Sequence, residues 1–235
     1  MSQPVLFPRA VPAAPAGIDL RCCGVDALLP KLLTNSFDLC VIDPPWDLYS
    51  QKPGGSVDPE GQYACLPLPT IMEHMRGAAA RLKPGGRLLL WTCWPLLASM
   101  PVATPPDGLE YVTGGSWHKI RPQPGAGYHW LGDSEPVLLY RKKNGTGHTD
   151  RSVLASNAHA SRPTEHSGKP VGWYRMWLRR WVPPGGRVLE LYSGLGPLAR
   201  ACHAEGVQYM GCEIDPERHA TALTRLRQGV GVSHA

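Results

Sequence analysis

The chain has 235 residues, of which 43% are hydrophobic and 18% charged, and its formal net charge is +5. That is enough chain for one domain with its own core, and the apolar content excludes disorder throughout. The mild positive charge permits a polyanionic partner without requiring one.

Gly 26 and Pro 25 are both in excess of ordinary usage, and with no G-X-Y period they belong to turns and loops. Residues 1–17 form a Pro/Ala-rich tail whose prolines interrupt any signal-peptide core, so a single domain is expected over 18–235. The longest apolar stretch, Leu88 to Met100, is shorter than the ~20 residues of a membrane span and contains Pro95. Seven cysteines (Cys22, Cys23, Cys40, Cys65, Cys93, Cys202 and Cys212) form no C-x-x-C pair. They read as reduced core thiols of a cytoplasmic protein. The histidines, His118 and His129 included, show no H-E-x-x-H spacing, and no metal is expected.

In chain order, Leu20–Cys23 reads as a short strand and Asp26–Leu33 as one or two helical turns. Phe37–Ile42 is an uninterrupted apolar run of the kind found in buried strands, and it ends on Asp43-Pro44-Pro45-Trp46. A loop over about 47–66 follows. Ile71, Met72, Met75, Ala79 and Leu82 fall at helical spacing, predicting a helix from Pro69 to Leu82 that stops at Lys83-Pro-Gly-Gly86. Strands are predicted at Arg87–Cys93, 110–119 and 135–142, with a polar mobile segment at 143–168. A helix over Val171–Val182, a strand over Arg187–Tyr192, a helix over Leu198–Ala204, a strand over Gln208–Ile214 and a helix over Pro216–Leu226 complete the chain. Such alternation indicates an α/β sheet with mostly parallel strands.

Two stretches carry chemistry. Val188–Tyr192 runs into Ser193-Gly194-Leu195-Gly196 and then a helix, a strand–turn–helix cradle where a ligand meets bare backbone. The next strand ends in Cys212-Glu213, whose carboxylate can accept from both ribose hydroxyls of an adenosine cofactor. Too little sequence follows to complete a nicotinamide-binding half, so either that fold is incomplete or its other strands come from the N-terminal part of the chain.

Asp43-Pro44-Pro45-Trp46 lies at the carboxyl end of a buried strand, where open α/β sheets bind ligands. The two prolines lock φ and end the ladder, so one carboxylate and one carbonyl are held rigidly toward a common spot. A planar aromatic amine there can donate one N–H to Asp43 and the other to the Pro44 carbonyl. Drawing both protons sideways favours a pyramidal nitrogen whose lone pair can attack an electrophilic methyl group. Trp46 offers a face for the ring bearing that amine, a contact worth about 1–3 kcal/mol per base.

The chain resembles the β-class amino-methyltransferases, in which D-P-P-W precedes the Gly-rich S-adenosyl-L-methionine (SAM) motif in a circularly permuted order. The nearest likeness is to the adenine-N6 group, which includes the mRNA adenosine methyltransferase catalytic subunits and bacterial and phage DNA adenine enzymes. It runs over about residues 24–215, through Gly24-Val-Asp26-Ala27, Tyr63, Thr70, Trp117-His-Lys119 and Gly127-Tyr-His-Trp-Leu131. It continues through Ser134-Glu135, Lys143-Asn-Gly145, Ser167-Gly-Lys169-Pro170, Glu190-Leu-Tyr192 and Gly211-Cys-Glu213-Ile214.

The resemblance implies a Rossmann-like methyltransferase fold and methyl transfer from SAM to adenine N6 in nucleic acid. Asp26 and Ala27 would lie against the cofactor adenine, Lys169 would meet its carboxylate and Glu213 its ribose. Asp43, Glu190, Tyr192, Ser193, Gly194 and Gly196 would line the rest of that pocket. Asp43, Pro44, Pro45 and Trp46 would hold the target base, with Tyr63, Lys119 and Glu135 near its entrance. Because SAM brings its own leaving group, the reaction needs neither a metal nor a covalent intermediate.

Where the mRNA enzymes carry an Arg after the E-L-F/Y strand, this chain has Ser193-Gly194-Leu195-Gly196, as the wider DNA-modifying class does, and no large target-recognition domain separates the motifs. DNA is therefore favoured over RNA. Cytosine-N4 methylation uses the same amine chemistry, although its enzymes typically have Ser where Asp43 stands. A catalytically silent nucleic-acid-binding subunit is the alternative of a different class. No Pro-Cys occurs for cytosine-C5 chemistry. Trp173, Trp177 and Trp181 recur every four residues, as either core packing or a homodimer face. Arg141, Lys142, Lys143, Arg151 and Arg162 could follow a phosphate backbone.

Overall fold

The computed structural model describes residues 13–46, 65–102, 104–118, 134–144 and 169–228. Its strands are β1 (Ile18–Cys22), β2 (Phe37–Ile42), β3 (Leu82–Trp91), β4 (Leu109–His118), β5 (Ser134–Lys142), β6 (Arg187–Leu191) and β7 (Gln208–Glu213). They form one sheet in the order β1-β7-β6-β2-β3-β5-β4. The first five in that order are mutually parallel, and β5 runs antiparallel to both β3 and β4. The strands late in the chain thus insert between β1 and β2, which is how a sheet that looks truncated after Glu213 is completed.

Five helices cover the sheet: α1 (Val25–Leu28), α2 (Leu68–Arg81), α3 (Val171–Trp181), α4 (Pro197–Glu205) and α5 (Pro216–Arg227). Strand alternation divides the core into two layers. Leu39, Val41, Leu89 and Trp91 face α3, α4 and α5, whereas Cys40, Ile42, Leu88 and Leu90 face α1 and α2. Both faces are buried, which is why β2 is apolar at every position but one. Among the described residues no helix is long and apolar enough to cross a membrane.

The structure departs from the expected elements in three places. The segment Lys83-Pro-Gly-Gly86 does not end α2 in a loop, because β3 begins at Leu82 opposite Phe37 and the extra residues form an irregularity before Arg87 pairs with Leu39. Lys83 stabilises it, with Nζ 2.8 Å from both carboxylate oxygens of Asp38. Second, Trp94–Ser99, expected only as part of an apolar stretch, forms a short 3₁₀ segment. Third, the tail is tied to the sheet before residue 18, since Tyr209 N donates to the Gly17 carbonyl at 2.9 Å.

The tryptophan stripe is core rather than a pairing face. Trp173 and Trp177 are 3% and 1% exposed. They pack on Trp91 with ring centroids 6.3 and 5.9 Å away, and Trp181 stacks on Trp177. The large area of an indole is thereby removed from water inside one protomer.

Candidate active site

β2 and β6 are neighbours and point the same way, and Ile42 pairs with Leu191. Asp43 and Tyr192 therefore leave the sheet side by side, about one strand spacing (~4.8 Å) apart, although most of the chain lies between them. The strand order reverses at this point: β2 leads through α2 to β3 on one side, and β6 through α4 to β7 on the other. An α/β sheet opens a crevice at such a switch point. Here it is a cleft of about 580 Å³ lined by Asp43 to Trp46, Tyr192 to Leu195, Glu213, Asp26, Lys169 and Glu135. The two chemistry-bearing stretches share one cavity.

The wall at the end of β6 is built by backbone. Gly194 and Gly196 take φ of +52° and +73°, the left-handed region where glycine carries no Cβ penalty. At Gly196 a Cβ would lie 3.1 Å from Ala222 Cβ of α5, so a glycine lets the two helices close. Tyr192 takes φ +65° without being glycine, a strain of about 1–2 kcal/mol that its neighbours must offset. Glu213 accepts from Gly194 N at 2.8 Å and from Asp215 N at 2.9 Å. These bonds fix the carboxylate at the strand end and leave each oxygen a further lone pair.

Beneath this turn lies a buried polar network. Tyr209 hydroxyl donates to Glu190, and Ser193 Oγ lies 2.8 Å from the Tyr209 hydroxyl. Burial pushes the Glu190 carboxyl well up, the nearby Asp43 charge adds to that, and the bonds from Tyr209 and Ser193 oppose it. Gly211 makes the network possible, because a Cβ there would come within 2.2 Å of the Tyr209 hydroxyl.

The wall at the end of β2 is built by charge. Lys169 Nζ lies 2.7 Å from Asp43 Oδ2 and 3.1 Å from Glu135 Oε2, with a side chain only 6% exposed. It also sits 5.1 Å from the centre of the Trp91 ring. Burial alone would depress this ammonium, but attraction and hydrogen bonds to Asp43 and Glu135 outweigh it, and its pKa is raised. Pro44 is buried. The Pro45 carbonyl is taken by Leu66 N at 2.8 Å, and no backbone N–H among the described residues takes that of Pro44. Thr92, at the end of β3, and the half-buried Trp46 also face the cleft.

Of the residues singled out from sequence, Asp26, Asp43, Pro44, Pro45, Trp46, Glu135, Lys169, Glu190, Tyr192, Ser193, Gly194 and Glu213 line this one cleft. Gly196 supports it from the turn below, and Ala27 is exposed just beyond Asp26. Tyr63 and Lys119 lie outside the described residues, as do His129, Arg151 and Arg162. Lys169 is placed on the carboxylates of Asp43 and Glu135, a pairing that no spacing in the sequence signalled. His74 was missed altogether. It is 5% exposed, lines the cleft, and bonds to Tyr192 and Asp26.

The described members of the basic strip, Arg141, Lys142 and Lys143, do not reach this site. Arg141 pairs with Glu110, and Lys142 Nζ donates to the Ala79 carbonyl. Both are at the opposite end of β5 from Glu135, roughly 20 Å away at ~3.4 Å per residue. Among the described residues no His/Cys/Asp/Glu group is arranged to hold a metal. The described cysteines are all free thiols. Only Cys40, Cys202 and Cys212 are core thiols as expected, whereas Cys22 is exposed and Cys23, Cys65 and Cys93 are half-buried. Burial pushes Cys93 up to about 11 and Cys212 up to about 12.

No protein-family model matches the sequence, and no curated protein does. Solved structures do match in fold. M1.HpyAVI in complex with SAM is 17% identical with a TM-score of 0.64, over 89% of this chain and 98% of that one. TTHA0409 of Thermus thermophilus, described as a DNA modification methylase and complexed with SAM, is 21% identical with a TM-score of 0.63, over 92% and 100%. The PvuII DNA methyltransferase, cytosine-N4-specific, is 12% identical with a TM-score of 0.63, over 92% and 87%. The chain has the Rossmann-like fold of these SAM-dependent methyltransferases. β2, which ends in Asp43-Pro-Pro-Trp46, precedes β6 and β7 in the chain and lies beside β6 in the sheet.

Proposed function

We propose that the protein is a SAM-dependent methyltransferase acting on the N6 amino group of adenine in DNA. One observation carries this reading: Asp43-Pro-Pro-Trp46 and the turn at 192–196 open into the same cleft from neighbouring strands.

The cofactor half fits SAM on its own features. A cavity of about 580 Å³ is of the size that holds such a ligand. Glu213 is fixed by two backbone N–H groups and retains acceptor capacity for ribose hydroxyls. A Cβ at Gly194 would meet nothing within 4 Å, so the turn presents open backbone. When bound, SAM supplies a methyl group on a sulfonium leaving group. Asp26, Glu213 and the Gly194 turn would hold its nucleoside end, with Lys169 available to its carboxylate.

The chain's own residues then act on the amine. Asp43 accepts one amino proton and the Pro44 carbonyl the other, fixing the nitrogen and its lone pair. Lys169, 2.7 Å away, favours the ionised form of Asp43, which is the purely accepting one. Trp46 supports the ring. A target base in a duplex would leave its stack to reach this wall.

DNA is favoured over RNA by the Ser193-Gly194-Leu195-Gly196 turn and by neighbours whose names specify DNA. Cytosine-N4 is the second reading, supported by the cytosine-N4-specific fold neighbour. The full chain, incubated with isotope-labelled SAM and unmethylated DNA or RNA, should yield labelled N6-methyladenine from DNA after digestion to nucleosides. Labelled N4-methylcytosine would replace the adenine reading, and label in RNA alone would replace the DNA one. Absence of SAM uptake by calorimetry would leave the silent binding subunit.

A further inference from the structure

His74 has no part in the chemistry above, yet it joins three segments of the cleft. It sits in the middle of α2 with a buried side chain. Its Nε2 is 2.9 Å from Asp26 Oδ1 on α1, and its Nδ1 meets the Tyr192 hydroxyl at the end of β6. A carboxylate oxygen accepts, so in the tautomer that donates from Nε2 to Asp26 the Nδ1 atom is the acceptor for the Tyr192 hydroxyl. The two rings lie 5.9 Å apart, tilted by 44°.

We propose that His74 is a positioning residue for the cofactor pocket, setting the turn after β6 against the start of α1 through the Tyr192–His74–Asp26 chain. The inference rests on the functional reading above and deepens it. The route is short. Tyr192 has φ +65°, so its backbone needs a side-chain anchor, and the hydroxyl bond to His74 is that anchor. Two residues on, Gly194 N holds the Glu213 carboxylate at 2.8 Å. A shift of Tyr192 therefore moves the group that orients Glu213, while release of Asp26 frees the opposite wall. Asp26 is 88% exposed, so burial does not hold it, and His74 is the contact that turns it inward.

SAM titrated by calorimetry into the full chain tests this without reliance on methyl transfer. Y192F keeps the ring and removes one hydroxyl, and it should weaken SAM binding about five- to tenfold. H74A should weaken it at least as much, and the Y192F/H74A double variant no further, because both remove the same link. H74N, whose amide stands where Nδ1 does, should recover part of the loss. In steady state the change should fall on KM for SAM more than on kcat, with KM for DNA unmoved, a split that a merely structural role would not produce.

Y192F and H74A binding SAM within twofold of wild type, with native melting transitions, would overturn the inference and leave the functional reading standing. Wild-type protein that takes up no SAM would overturn both.

Discussion

The two walls of the cleft are built by different physics. On the cofactor side, Glu213 is held by the backbone N–H groups of Gly194 and Asp215, and Ser193 N is tied to the Cys212 carbonyl at 2.8 Å. On the acceptor side, Asp43 and Glu135 are held by one buried ammonium, Lys169. The Ser193–Cys212 bond continues the β6–β7 ladder, so this wall is fixed by the sheet itself. A shared lysine can redistribute its donors between Asp43 and Glu135, which on the proposed reading would let this wall receive a cofactor carboxylate and a base in turn. The contrast teaches that a wall fixed by the sheet is rigid, whereas one held by a shared charge can adjust.

The largest effect expected from breaking it is at Asp43. D43A removes the acceptor for one amino N–H and should lower methyl transfer by about 10²–10³-fold, the scale seen when a group aimed at developing charge is deleted. SAM binding, measured calorimetrically, should persist in weakened form. Transfer at the wild-type rate would show that the amine is held elsewhere.

Next comes Lys169. K169M leaves Asp43 and Glu135 without their common cation, and removing one partner of a buried pair costs about 3–5 kcal/mol. Chemical denaturation should show that loss, and K169M/E135Q should be more stable than K169M because one stranded carboxylate is gone. Equal stabilities would mean that solvent, and not Lys169, balances the two acids.

Glu190 separates the walls by pH. Its carboxyl is pushed well up by burial, so between about 4.3, the ordinary value, and its folded value the native state binds a proton that the unfolded chain has released. Stability contributed by this group is present at low pH and is lost as pH rises, by about 1.4 kcal/mol per pH unit across that window. E190Q should flatten this slope and be more stable than wild type at its upper end. A steeper slope in E190Q would contradict a protonated Glu190.

Much of this was legible in the sequence because it depends on local rules. The apolar run at Phe37–Ile42 and the Pro-Pro after it declare a buried strand with a rigid end, and the structure has β2 there. The Gly194–Gly196 turn and Glu213 declare a strand-end cradle, again where found. The adjacency of β2 and β6 was implied only indirectly, by the shortage of chain after Glu213.

What was not legible depends on long-range contact. Lys169 follows a weakly patterned polar segment, and its pairing joins residues far apart in the chain. His74 falls on the buried face of an amphipathic helix, where a lone histidine has no signature until Tyr192 and Asp26 arrive beside it. The tryptophans of α3 carry the same helical pattern whether they face a partner or a core. Only the burial of Trp91, Trp117 and Tyr174 around them decides for the core.

The smallest effect is expected at the far end of β5. Lys142 donates to the Ala79 carbonyl, and Lys143 N to that of Gly108, so both are committed to holding β5 against its neighbours. They stand at the opposite end of that strand from Glu135 and the cleft mouth. A phosphate contact there would add about one unit to the slope of log affinity against log salt. The exposed Lys143 is the cleaner probe, since K142A would also remove a structural bond. K143A should leave the salt slope of DNA binding unchanged and affinity within about twofold, as ordinary surface substitutions do. A slope reduced by about one would mean that the duplex wraps from the cleft to the opposite end of the sheet, and the acceptor wall would then be only the centre of a longer footprint.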